Sequence, residues 1–222
     1  MTLVLPSPAF RPGPPPATVP LGASLVALDS TITSIWTTLR PTASRETMDR
    51  LAFVSARHGE GTTTLASCAA IGLARYTKLK ILLVEGNSYG QSLLAKFELA
   101  DAPTLHDVIA GRIAPRDALL ETDVPRLQLL GLGLTGASGA LTVGRAEWEA
   151  ILGEVSQGVG YVILDAAPFL DRPQARLVLE PFPRVVIVAR AGSAERGDMQ
   201  TLTQGLRRLG LDPLGAVLNR FQ

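Results

Sequence analysis

A chain of 222 residues, 46% of them hydrophobic, is long enough for one large α/β domain with a substantial core. Its formal net charge of +1 sets up no global field, which argues against nucleic acid or an acidic membrane surface as a partner. One cysteine, Cys68, and two histidines, His58 and His106, exclude a disulfide framework or a cysteine-built zinc cluster and fit a reducing compartment.

Residues 1–24 are rich in Pro, Gly, Ala and Ser and carry one charge, Arg11. Such a stretch buries too little apolar surface to offset its ordering entropy, so a disordered arm is expected. It does not read as a signal peptide, because Pro6, Pro8, Pro12, Pro14, Pro15 and Pro16 break the apolar run of about 7–15 residues a signal needs. No window approaches the roughly 20 consecutive apolar residues of a membrane span. A cytoplasmic protein is expected, associated with a membrane only through a partner.

The ordered domain is expected over residues 25–222. Leu25, Leu28, Ile32, Ile35 and Leu39 recur at helical spacing. Leu51–Ser55 then reads as a short apolar strand, Thr62–Thr77 as a helix of small residues, and Lys80–Glu85 as a strand. A helical region over Thr104–Gly111 stops at its glycine. Leu127–Gly131 is a strand, followed by a Gly-rich stretch to Gly144 and a helix over Glu147–Gln157. Tyr161–Asp165 and Val185–Ala189 read as buried strands, Arg196–Leu209 as a helix and Pro213–Asn219 as the last strand. Continuous apolar strands alternating with helices predict a doubly wound, mostly parallel α/β sheet covered on both faces. Ligands in such sheets bind beyond the strand C-termini. The chemically informative residues fall there: Ser55–Thr63, Glu85–Asn87 and Asp165–Pro168.

Ser55-Ala56-Arg57-His58-Gly59-Glu60-Gly61-Thr62-Thr63-Thr64 links a strand to a helix, the position of a P-loop whose backbone amides wrap a phosphate at a helix N-terminus. The usual form ends Gly-Lys-Ser/Thr. Here Thr62 stands in the lysine position, and Thr63 keeps the hydroxyl that would meet magnesium. Loss of a charged hydrogen bond costs about 1.5–3 kcal/mol, and loss of a transition-state donor about 10²–10³ in rate. Weak binding of phosphate, ATP or ADP with magnesium could survive on amides and helix dipole; efficient transfer should not. The bland alternative is a tight turn with Thr62 as helix N-cap and no nucleotide.

Candidate ligand-binding residues are therefore Arg57, Gly59, Glu60, Gly61, Thr62, Thr63 and Thr64, with Thr63, Glu85 and Asp165 as ancestral metal positions and no catalytic residue assigned. Asp165 ends the strand YVILD, where a carboxylate would hold magnesium through water. Cys68 reads as core, Trp36 and Trp148 as packing residues, or as interface anchors if exposed, His58 as a solvated loop residue that could meet an anion when protonated, and His106 beside Asp107 as a surface or capping pair.

These segments, in their order and spacing, resemble the bacterial tyrosine kinases of polysaccharide export, a branch of the partition/MinD-like P-loop ATPases. The family's SAxPGEGKST appears as SARHGEGTTT, its LLIDADxR as LLVEGNSY and its IIDTPP as ILDAAPF. The segment TLHDVIAGRIAPRDALLETDVPRLQLLGLG and the closing GLDPLGAVLNRF follow the family's order over about residues 25–222. The resemblance implies that Glu85 and Asn87 occupy its Walker A′ aspartate positions, Ser88 the arginine after them, and Arg57 the place of an extra lysine that reaches nucleotide across a dimer. The departures at Thr62, Glu85 and Asn87, the blurred oligomer motif SIWTTLRPT and the lack of a C-terminal tyrosine cluster (the tyrosines are Tyr76, Tyr89 and Tyr161) imply a pseudokinase. The expected function is a non-catalytic regulator or scaffold of exopolysaccharide, capsule or holdfast-type assembly. The expected partners are a membrane polysaccharide co-polymerase of the chain-length-determinant type and further copies of itself. Two alternatives stay open: a divergent ATPase or tyrosine kinase using Arg57 and loop amides, and a MinD-like positioning switch.

Overall fold

A computed structural model describes residues 49–87, 92–133, 143–172 and 175–220. The proline-rich arm, the helical pattern of residues 25–39, Ser88, Tyr89 and residues 134–142 of the Gly-rich stretch lie outside the described residues.

The chain order is β1 (Asp49–Ser55), α1 (Thr62–Tyr76), β2 (Ile81–Gly86), α2 (Leu93–Lys96), α3 (Leu105–Ile109), a 3₁₀ turn (Pro115–Ala118), β3 (Leu120–Glu121), β4 (Leu127–Leu130), α4 (Arg145–Val155), β5 (Tyr161–Ala166), α5 (Ala175–Leu179), β6 (Arg184–Arg190), α6 (Arg196–Arg208) and β7 (Asp212–Asn219). One sheet contains all seven strands in the order β3-β4-β2-β5-β1-β6-β7. Every pairing is parallel except β3 with β4. The doubly wound α/β expectation is met.

Strand side chains alternate between two apolar layers. Leu51, Phe53, Leu83 and Ile163 pack on the face covered by α1, whereas Ala52, Val54, Val84 and Leu164 pack with α4 and α6. Both layers are buried, which is why the central strands read as unbroken apolar runs rather than as alternation. In α1 every residue from Leu65 to Ala74 is buried. Its small side chains let the helix axis approach the sheet closely, and Cys68 is core as expected, its thiol pushed up to about 11 by burial. Trp148 is fully buried with its indole N–H donating to the Val178 carbonyl at 3.1 Å.

The differences from expectation are local. The helix expected over Thr104–Gly111 is one turn, Leu105–Ile109: Thr104 and Asp107 form a capping box at its start, and it closes at Ala110 ahead of Gly111, which has a left-handed φ of 67°. α4 begins at Arg145, two residues earlier than its apolar pattern suggests. The two-residue β3 and the four- to five-residue α2 and α5 are too short to show periodicity.

Candidate functional site

The loop after β1 is held from several sides. The carbonyls of Ser55 and Ala56 accept from the amides of Phe169 and Leu170 at 3.0 and 3.1 Å, tying the loop to the segment beyond β5. Within the loop, Ser55 Oγ donates to the Arg57 carbonyl, and the Arg57 amide donates to Glu60 Oε2 at 2.9 Å. Glu60 is buried by this inward turn. Gly59 and Gly61 have φ of 83° and 94°, left-handed conformations that glycine adopts without steric cost. A Cβ on Gly61 would also collide with Asn219 Nδ2, which donates to the Glu60 carbonyl at 3.0 Å.

Gly61, not Thr62, is the N-cap of α1, and no side chain caps it. This corrects the bland alternative in which Thr62 caps the helix. Thr62 is instead the first helical residue and is buried, with Thr63 and Thr64 half-buried after it. The first-turn amides of a helix have no intrahelical acceptor, and here no acidic side chain sits in that turn. The local field favours an anion.

Arg57 is exposed, but its guanidinium is occupied. It donates to both oxygens of Asp198, at 2.7 and 3.0 Å, and to Asp171 Oδ1 at 3.0 Å. Asp171 Oδ2 accepts the amide of His58 at 2.9 Å, so one carboxylate grips the loop twice. Its hydrogen bonds to Asp198 and then to Asp171 raise the Arg57 pKa further, and Arg57 in turn lowers that of Asp198. The cation beside the loop is matched by two carboxylates.

Glu85 and Asp165 lie side by side in register at the ends of β2 and β5, on the face covered by α1. Their environments differ. Glu85 accepts from Ser92 Oγ at 2.8 Å and from the amides of Leu93 at 2.6 Å and Leu132 at 2.8 Å. It thereby fastens the start of α2 and the end of β4 to the sheet. Asp165 is 1% exposed, and no donor meets good hydrogen-bond geometry at either carboxylate oxygen. Burial pushes its pKa from 3.8 up to about 7; a loose hydrogen bond from the Thr63 hydroxyl acts against that rise, the Glu85 charge adds to it, and the Lys96 charge opposes it. A buried carboxylate whose one near donor is a Thr hydroxyl suits a hydrated divalent cation, which uses one or two protein oxygens and keeps its waters. Thr63 and Asp165 fit that role. Glu85 fits it poorly, since its oxygens are already taken. Among the described residues no group of three or more His, Cys, Asp and Glu could hold a metal ion.

The fold, with its loop, helix and neighbouring strand-end carboxylates, is similar to that of bacterial tyrosine-kinase domains and MinD-type ATPases. The chain is similar to the tyrosine-protein kinase CpsD of Streptococcus agalactiae, 24% identical over 171 residues that cover 77% of this chain and 74% of the relative. CpsD of Streptococcus pneumoniae serotype 4 is 23% identical over 172 residues, covering 77% and 75%. Among solved structures, the chimerical protein CapA2B2 superposes with a TM-score of 0.77 at 18% identity, covering 90% of each chain. The kinase domain of Escherichia coli tyrosine kinase ETK gives 0.77 at 19% identity, covering 88% and 79%. MinD of Pyrococcus horikoshii OT3, complexed with Mg-ADP, gives 0.68 at 22%, covering 79% and 71%. No family model matches the chain. The resemblance read from the motifs is thus matched by relatives in sequence and by neighbours in fold.

Sequence reasoning missed Asp171, Asp198, Asn219, Ser92 and Lys96. They come from segments far along the chain or carry no motif of their own. Asn219 had the clearest signal, a polar residue closing an apolar strand. His58 is exposed, and His106 is exposed beside Asp107. Asp107 is the residue that works there, accepting from Thr104 and Arg112 with its pKa held down at about 2.

Proposed function

We propose that this chain is a non-catalytic relative of the capsular tyrosine kinases that acts as a regulator or scaffold in polysaccharide export, docked on a membrane co-polymerase. One observation carries the loss of catalysis. The lysine position is Thr62, buried in the first turn of α1, and the nearby Arg57 is committed to Asp171 and Asp198. Phosphoryl transfer is mostly positioning plus charge stabilisation, and the cation that would track the developing charge is missing from its place. Loop amides and the dipole of α1 would still attract a phosphate.

Magnesium, when bound, neutralises phosphate oxygens and orients them. Asp165 and Thr63 are the residues suited to hold it. Glu85 keeps the neighbouring strand ends together, and Asn219 holds the loop at Glu60. No helix of the described residues is long and apolar enough to cross a membrane, so a docked partner would supply any attachment.

Calorimetry with Mg-ATP tests this. Weak or undetectable binding, and no phosphate release above that of Asp165→Ala, are expected. Turnover that depends on magnesium and is abolished by Asp165→Ala would overturn the non-catalytic assignment and favour the divergent ATPase. Thr62→Lys is expected to tighten Mg-ATP binding at least about tenfold, in line with one restored charged hydrogen bond.

A further inference from the structure

We propose that Lys96 is a tethered cation beside the magnesium position, whose ammonium lets the loop after β1 hold a phosphate-bearing anion without a metal. Such a role rests on the reading of that loop and the start of α1 as an anion cradle, and it adds a charge that Thr62 does not supply. Lys78, Lys80 and Lys96 are the lysines of the chain. Lys78 and Lys80 precede β2, at the N-terminal end of the strands. Lys96 follows β2, at the other end, where the cradle lies.

The placement of Lys96 follows from how α2 is fastened. Glu85, at the end of β2, accepts from the hydroxyl of the N-cap Ser92 at 2.8 Å and from the Leu93 amide at 2.6 Å, so α2 starts against the strand ends. Leu93 and Leu94 are buried, and Phe97 packs on the same apolar layer as α1, which seats the short helix beside α1. The Lys96 amide donates to the Ser92 carbonyl at 3.1 Å, so Lys96 lies one turn beyond Ser92 and on its side of the helix. Helical side chains lean toward the helix N-terminus. The stem of Lys96 therefore runs back toward Ser92 and the strand ends, where Glu85 and Asp165 are neighbours in register.

Lys96 is half-buried, and among the described residues it forms no ion pair. Its charge acts on two buried groups, opposing the upward shift of Asp165 at the end of β5 and that of Cys68 in α1. A charge felt at both places lies between α1 and the strand ends, beside Thr63 and Asp165. Glu85 spends its oxygens on Ser92, Leu93 and Leu132, and the loop's own cation, Arg57, is held by Asp171 and Asp198. Lys96 is left to meet an anion. An ammonium is a compact charge with three donors on a flexible stem, suited to follow phosphate oxygens. It supplies part of what a divalent ion supplies there, and it repels a second cation from the same place. Binding is therefore weak and nearly indifferent to magnesium.

Calorimetry of the full chain with ATP and with inorganic pyrophosphate, each in EDTA and in magnesium, tests this. Binding in EDTA is expected with a Kd of about 0.1–1 mM, changed by magnesium less than about threefold. Lys96→Met should weaken binding in EDTA at least about tenfold, the loss of one charged hydrogen bond, and make it depend on magnesium. Lys96→Arg should keep it within about threefold, and Lys78→Met, at an exposed position, should leave it unchanged. Acetylation of the wild-type chain, read lysine by lysine by mass spectrometry, needs no variant: saturating ligand should protect Lys96 and leave Lys78 and Lys80 as reactive as before. Pyrophosphate binding as well as ATP would assign the anion to phosphate alone, and ATP binding by itself would assign it to a nucleotide; either supports Lys96 when Lys96→Met weakens it. No binding in EDTA, binding that Lys96→Met leaves unchanged, or saturating ligand that does not protect Lys96 overturns the role of Lys96. None of these disturbs the non-catalytic assignment, which falls only on magnesium-dependent turnover.

Discussion

Replacing Asp165 with asparagine isolates one buried charge. The native carboxyl has a pKa of about 7 against 3.8 when solvated, with burial as the main cause. Below about pH 4 it is protonated in native and unfolded chains alike. Between about pH 4 and 7 the unfolded chain has released the proton and the native chain has kept it, so stability falls as pH rises. Above that range the native state carries the whole penalty, at most about 4 kcal/mol for a rise of this size. Asparagine cannot ionise and has nearly the same shape. It leaves a buried amide without partners at a cost of about 1–3 kcal/mol, but that cost is independent of pH. Urea denaturation of both proteins at about pH 5 and pH 8, without nucleotide or magnesium, separates the two effects. From pH 5 to pH 8 the wild type is expected to lose about 2–3 kcal/mol more than Asp165→Asn, the rest of the penalty being already present at pH 5. Equal losses would show that the carboxyl is solvated or partnered, and would remove the basis for a poised metal position.

Glu85→Asp, although it restores the residue implied by the resemblance, should destabilise the fold by about 1–3 kcal/mol, since a shorter side chain cannot serve Ser92, Leu93 and Leu132 together; urea midpoints would show it. Gly61→Ala should cost about 1–3 kcal/mol in the same assay, and Asn219→Ala in that background should recover only the steric part, leaving the backbone penalty at a φ of 94°. Arg57→Ala should leave thermal stability nearly unchanged, because its ion pairs are exposed and screened, yet should speed amide exchange at His58 by freeing Asp171.

The sheet was legible because its central strands, buried on both faces, are unbroken apolar runs bounded by loop residues, and its helices carry the long period. The positions of Gly59, Gly61, Thr63 and Asp165 followed from local pattern alone. What escaped is non-local. Nothing near Arg57 announces Asp171 and Asp198, which lie 114 and 141 residues further on. Glu85 showed its charge in the sequence but not its three donors, so an anchor for two loops resembled a substituted metal ligand. Thr62 offered itself as a cap by residue type, whereas the left-handed turn at Gly61 takes that place.

The bond from Asn219 to the Glu60 carbonyl spans 159 residues and joins the last strand to the first loop. During synthesis the ribosome releases Gly59 and Gly61 long before Asn219, so the nascent loop waits 159 residues for the side chain that holds it. A stalled chain ending before β7 would carry the whole loop sequence in an unset form. The loop therefore takes its final shape only once β7 is in place, and termination before β7 should yield a protein with most of the sheet but an untethered loop after β1.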